Sequence, residues 1–111
     1  MTTAGVTFDA VDATRLAAWW AKAVGGEVTL DSDGWFCQVA VPGSHPLSFQ
    51  KVADVTPGKN KIHLDFQADD PAVEIERLIA LEAEMVGEHT MEGFSWTVLA
   101  DPEGNQFCVS G

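Results

Sequence analysis

The chain of 111 residues carries one pattern twice, its halves about 58 residues apart. Each half reads strand, helix, hairpin, Pro/Gly turn, strand. Solenoids repeat many times, so two copies point instead to a paired-module domain. The first half opens on Val6-Thr7-Phe8-Asp9-Ala10, whose apolar residues alternate as a half-buried strand requires. The second opens on Ile62 to Ala68, where Ile62, Leu64, Phe66 and Ala68 alternate with His63, Asp65 and Gln67.

A helix follows in each half. Asp12 or Thr14 caps the first, and Leu16, Trp19, Trp20, Ala23 and Val24 fall on one helical face. Gly25-Gly26 supplies the positive φ that a helix end favours. Asp70-Pro71 starts the second, with Ile75, Leu78 and Ile79 as its apolar face. The glutamates at 74, 76, 82 and 84 face water on this reading.

Hairpins then turn at Asp33-Gly34 and at Glu92-Gly93, where glycine relieves the cost of positive φ. Strands leave them over Trp35 to Val41 and Trp96 to Ala100. After turns at Pro42-Gly43 and Asp101-Pro102-Glu103-Gly104 come the closing strands, Leu47 to Lys51 and Gln106 to Ser110. Ala53 to Asn60 reads as a linker within one domain, between module one (1–52) and module two (61–111).

A four-stranded sheet with one helix covers one face and leaves the other for a second layer or a ligand. Two such sheets side by side curve into an incomplete barrel with an open cup. The alternate set of strand residues faces that cup. It comprises Gly5, Thr7 and Asp9, then Ser48 and Gln50, then His63, Asp65 and Gln67, and finally Gln106, Cys108 and Ser110. Such a polar set must be paired with itself, with water or with a ligand, which is the physical case for a binding site.

Composition narrows the function classes. Net charge is −11 and the six Lys and Arg are scattered, so a nucleic-acid partner is disfavoured. No apolar run is long enough for a membrane span. The start has no basic stretch followed by an apolar one, so a cytoplasmic location is expected. Cys37 and Cys108 form no CxxC pair and read as free thiols, with a disulfide left open by their spacing. Glycine-rich phosphate loops, GxSxG and HExxH are absent from the sequence.

The duplication, the opening Asn60-Lys61-Ile62-His63-Leu64-Asp65 and the ending Ala100-Asp101-Pro102-Glu103-Gly104-Asn105-Gln106-Phe107 resemble the glyoxalase/bleomycin resistance protein/dioxygenase (vicinal-oxygen-chelate) superfamily. The likeness is to its compact glyoxalase-like domains and covers essentially the whole chain. It implies an α+β fold of tandem β-α-β-β-β modules. In metal-using members it also implies one ligand from each first strand and each closing strand, usually His, Gln or Glu. Carried over, those four positions are Gly5, Gln50, His63 and Cys108. That is a gap, a weak amide, one strong ligand and a soft thiol, with Asp9 or Asp65 as supplements. A hard divalent ion asks for more oxygen donors.

Each residue has a plainer role as well. His63 can bond across the cup, Cys37 and Cys108 can pack as small hydrophobes, and His45 and His89 can sit solvated beside turns. Trp35 and Trp96 can pack, or stack on a ligand at the rim. Two functions follow. The first is a module that binds a small molecule in the cup, using Thr7, Asp9, Gln50, His63, Asp65, Cys108, Trp35 and Trp96, with no cofactor assigned. The alternative is a lyase, isomerase or dioxygenase-like enzyme. It would hold a divalent metal through His63, Gln50 and Cys108, or use His63 as a general base oriented by Asp65. A homodimer is what the resemblance implies for either.

Overall fold

The computed structural model describes residues 3–60 and 62–111. It divides into two compact units, one ending at Thr56 and the other starting at Pro57. Unit one contains β1 (Val6–Ala10), α1 (Ala13–Val24), β2 (Glu27–Asp31), β3 (Phe36–Ala40) and β4 (Leu47–Lys51). Unit two contains β5 (Leu64–Gln67), α2 (Pro71–Ala80), β6 (Glu84–Met91), β7 (Phe94–Ala100) and β8 (Gln106–Ser110). The sheet orders match, β1-β4-β3-β2 and β5-β8-β7-β6. In each, the first and closing strands pair in parallel and the remaining neighbours antiparallel. The fold is therefore α+β, a β-α-β-β-β module repeated.

The core of unit one forms where α1 meets the sheet. Asp12 caps the helix by accepting from the Arg15 amide, and Gly25 closes it in the left-handed conformation. Leu16, Ala17 and Trp20 point inward and are almost fully buried with Cys37, Val39 and Phe49. Phe8 lies 5.5 Å from Trp20 and 5.1 Å from Phe49, ring centre to ring centre. Burying an aromatic or leucine side chain of this kind stabilises by about 1.5–3 kcal/mol. The rings thus anchor one face of the sheet and leave the other for Thr7, Asp9 and Gln50.

Unit two repeats the plan with a thinner helix layer. Asp70 accepts from the Val73 amide, and Pro71 occupies the first turn. Phe66 and Phe107 meet edge to face at 5.9 Å, and Leu99, Phe107 and Val109 are buried. Two expectations are corrected here. Ile79 is 44% exposed, while Leu78 is buried and Ile75 half-buried. The inward stripe of a ten-residue helix is narrow, and Ile79 falls on its margin. Of the four glutamates, Glu74 is half-buried and pairs with Arg77 rather than facing water alone.

Strand limits also shift. β5 starts at Leu64, and Ile62 is 79% exposed instead of continuing the inward row. Asn60 explains this. Its Nδ2 donates to the Ile62 and Gln106 carbonyls, and its Oδ1 accepts from the Gln106 amide. A side chain thus occupies the place where backbone pairing would begin. β3 starts at Phe36 rather than Trp35, whereas β7 starts at Phe94, two residues before Trp96.

Candidate functional site

Strand register defines the open face of unit two. Asp65, Cys108, Val98 and Gly87 form one row across the sheet, in strand order β5-β8-β7-β6. Gln67, Ser110, Trp96 and His89 form the next. Neighbours in register point the same way, and α2 lies on the opposite face with Phe66 and Phe107. His63 precedes β5, and its Nδ1 is 3.8 Å from the Cys108 sulfur. The structure therefore brings His63, Asp65, Cys108 and Trp96 onto one side of one sheet.

That geometry limits the chemistry of Cys108. The side chain is 8% exposed, and burial pushes its thiol pKa up. A hydrogen bond to Asp65 and the Asp65 charge push the same way, against a smaller opposing effect of Lys59. The sulfur is thus held toward the neutral thiol, a poor nucleophile. Its contact with His63 is a thiol–imidazole contact. The contact that the His63 ring makes through Nδ1 is thus with Cys108.

On unit one, Thr7, Ser48, Gln38 and Leu30 form a row, and Asp9, Gln50 and Phe36 form the next. Gln38 donates from Nε2 to Ser48 Oγ at 3.4 Å, which gives the buried Ser48 a partner. Thr7, Asp9 and Gln50 stay exposed on this face. Trp35 is not among them. Its carbonyl accepts from the Lys51 amide, and the Lys51 ammonium lies 5.1 Å from its ring centre. Lys51 follows Gln50 along β4 and so points to the opposite face. Cys37 is fully buried on that opposite face, 4.0 Å from Thr14 Oγ1, its thiol pKa raised by burial.

The four positions implied for a metal can now be tested. A Cβ placed on Gly5 would stand 2.8 Å from the Pro46 carbonyl oxygen, so the backbone closes that position to any ligand side chain. Cys108 offers one buried sulfur, and Gln50 one amide oxygen. Among the described residues, no three of His, Cys, Asp and Glu lie together as a metal-holding group. The donors present do not fit a divalent ion of the family's kind.

Sequence reasoning passed over three residues of the unit-two face. His89 stacks on Trp96 with ring centres 5.3 Å apart and planes within 23°. Phe94 stacks on the same Trp96 at 5.9 Å and 26°. Gly87 sits beside His89, with no side chain on the row that holds Cys108. The signal was available. A two-residue turn at Glu92-Gly93 pairs Met91 with Phe94, and so opposes His89 to Trp96. A separate depression of about 330 Å³ on unit one, lined by Gly25, Gly26, Glu27, Ala40, Val41 and Pro42, contains none of the expected site residues.

Comparison with known proteins places this geometry in context. A family model described as a glyoxalase-like domain matches residues 5–110. A lactoylglutathione lyase from Agrobacterium tumefaciens is 22% identical, covering 98% of this chain and 92% of that one, with a TM-score of 0.76. An enzyme of the glyoxalase/bleomycin resistance protein/dioxygenase family from Burkholderia phytofirmans PsJN is 20% identical over 96% and 94%, with a TM-score of 0.82. A mutant of the fosfomycin resistance protein FosX from Listeria monocytogenes, complexed with Mn(II) and 1S,2S-dihydroxypropylphosphonic acid, is 17% identical over 98% and 88%, with a TM-score of 0.84. No curated protein matches the sequence. At these identities the structures establish a shared fold.

Proposed function

The chain belongs to the glyoxalase-like domain family, and from that premise we propose that it binds a small molecule on its polar sheet faces without a metal ion. The observation that carries the reading is the donor set. Gly5 is closed off by the Pro46 carbonyl, and among the described residues no three of His, Cys, Asp and Glu lie together. Thr7, Asp9 and Gln50 on one unit, and His63, Asp65, Cys108 and Trp96 on the other, are the ligand-binding groups on this reading. A cytoplasmic homodimer completes it. The two unpaired cysteines suit a reducing compartment, and a charge of −11 argues against a nucleic-acid partner. Among the described residues, no helix is long and apolar enough to cross a membrane.

A second reading keeps His63 as the base of a lyase, isomerase or dioxygenase-like reaction. It draws support from the fixed His63–Cys108 contact, which sets the ring's position. Elemental analysis of untagged protein, beside His63→Ala, decides between the two. The expected result is metal well below one per chain and a melting temperature unchanged by a chelator. In the same state, a small-molecule ligand should raise that temperature, because it prefers the folded chain. About one metal per chain in the wild type, lost in His63→Ala, overturns the metal-free reading.

A further inference from the structure

The outer end of the β6–β7 hairpin is held by side-chain pairs, and we infer that one of them, His89 on Trp96, is a pH-dependent clasp that fastens the hairpin in mild acid and loosens it above neutral pH. The clasp stands apart from the small-molecule reading above. Three observations carry it. First, backbone pairing gives this segment limited support. β6 is the outer strand of its sheet, and a β-bulge between Met85 and Gly87 interrupts its register with β7. Beyond the bulge, Glu88 to Met91 are exposed, as are Phe94 and Ser95 on the returning strand. The last three opposed pairs before the turn are His89 with Trp96, Thr90 with Ser95 and Met91 with Phe94. The Thr90 and Ser95 hydroxyls lie 2.9 Å apart, a bond that does not titrate.

Second, the His89–Trp96 contact has a geometry that responds to charge. The imidazole stacks on the indole with ring centres 5.3 Å apart and planes within 23°. A cation at that distance from a tryptophan face is attracted by the ring quadrupole. The neutral pair already contributes as a cross-strand aromatic contact, and protonation adds the cation–ring attraction. Phe94 stacks on the same indole at 5.9 Å and 26°, which helps to fix the surface that His89 meets. His89 is exposed, so charging it in place costs little desolvation.

Third, the charged groups of unit two act in the same direction. On β6, Glu84 shares the side of the sheet that His89 occupies, Glu88 points to the other side, and Glu92 stands in the turn. β7 brings no titratable group, β8 brings Cys108, and β5 brings Asp65 with His63 just before it. α2, with Glu74, Glu76 and Arg77, lies on the far side of the sheet. The four strands carry no Lys or Arg. Carboxylates on the face of His89 favour its imidazolium form. A contact that is stronger when the ring is protonated is fully present below the histidine range and is lost as pH rises through it.

Amide hydrogen exchange by NMR over residues 87–97 tests the clasp. It is measured at about pH 5.5 and about pH 7.5, on either side of the histidine range. Rates are expressed as protection relative to an unstructured chain at the same pH, which removes the base catalysis of exchange. The amides of β8 report opening of the sheet as a whole in the same samples. Protection of the hairpin relative to β8 should be about 2- to 5-fold higher at the lower pH, the scale of one exposed cation–ring contact. His89→Phe keeps a flat ring that cannot titrate, and its hairpin should be equally protected at both pH values. Trp96→Leu keeps the histidine, removes the ring it stacks on and should lose the pH response as well. Each variant is checked for a cooperative melt, and His89→Phe, altered at an exposed position, keeps the test open if Trp96→Leu fails to fold. Wild-type protection that is unchanged or lower at the acidic pH overturns the inference. So does a pH response that survives in His89→Phe, or one that β8 shares in full.

Discussion

Asp101, in the turn before β8, is 4% exposed, yet both of its carboxylate oxygens are engaged. Oδ1 accepts from the Glu103 and Asn105 amides, each at 2.9 Å, and Oδ2 accepts from Asn105 Nδ2 at 2.8 Å. These bonds explain why Asp-Pro-Glu-Gly-Asn ends the second half, since one carboxylate folds the turn that aims β8. Asp101→Ala strands two part-buried backbone amides, those of Glu103 and Asn105. It should cost about 2–4 kcal/mol in urea unfolding, given about 1–3 kcal/mol for each buried group left without a partner. A loss below about 0.5 kcal/mol, the scale of an ordinary surface change, would contradict the account.

Asp31 shows the opposite behaviour at the surface. The Gly34 amide at 2.8 Å holds its carboxyl below the usual range against a smaller desolvation effect, with help from Thr14 and then Cys37. A carboxylate whose folded pKa is depressed adds stability above its unfolded value. That stability is lost as pH falls through the lower folded value. The wild type should therefore lose stability in acid, starting near the ordinary 3.8 and continuing below it. Asp31→Asn should flatten that part of a pH series of urea midpoints, and an unchanged slope would show that the hydrogen bonds contribute little.

At the scale of elements, the two halves solve the same problem with different residues. α1 ends with Gly25 at φ 67°, where the Gly26 amide donates to Ala21 and the Gly25 amide to Lys22. α2 ends the same way, with the Ala83 amide donating to Leu78 and the Glu82 amide to Ile79. Glu82, however, holds the left-handed position at φ 73°. A side chain there costs about 1 kcal/mol relative to glycine. Glu82→Gly should raise stability by about 0.5–1 kcal/mol and so slow exchange of the α2 amides. A destabilised Glu82→Gly would mean that the carboxylate does something the cap geometry does not show.

This comparison also shows what sequence could tell. The caps at Asp12 and Asp70, the glycine stop of α1 and the turns at Asp33-Gly34 and Glu92-Gly93 are local chemistry, legible one window at a time. The duplication then made the order of elements readable. What escaped depends on side chains reaching across strands. Asn60 bonds to Gln106, 46 residues away, and shortens β5. Trp35 follows Lys51 to the opposite side of its sheet from Gln50. His89 is exposed, as a turn neighbour should be, but its stacking on Trp96 depends on the cross-strand pairing. Of the candidate site, residue types and faces were legible, and the partners of those residues were not.

Over the whole molecule, 17 acidic residues face six basic ones, leaving a net charge of −11. Such an excess keeps a protein dispersed and also makes the folded chain repel itself. Salt shortens the reach of that repulsion, the Debye length falling from roughly 20–30 Å in dilute buffer to about 6 Å near 0.3 M. Moving from low salt to 0.3 M sodium chloride should therefore raise the melting temperature by about 2–5 °C, corresponding to about 0.5–1 kcal/mol for a chain of this size. The same screening weakens attraction between the acidic surface and a cationic ligand. A cationic small molecule should then associate more slowly in the salt that makes the fold more stable. Measuring both against one salt series separates the two roles of the charge. A melting temperature that falls with salt would show that local ion pairs outweigh the net charge. A salt-independent association rate would place the bound cation outside the field of the acidic surface.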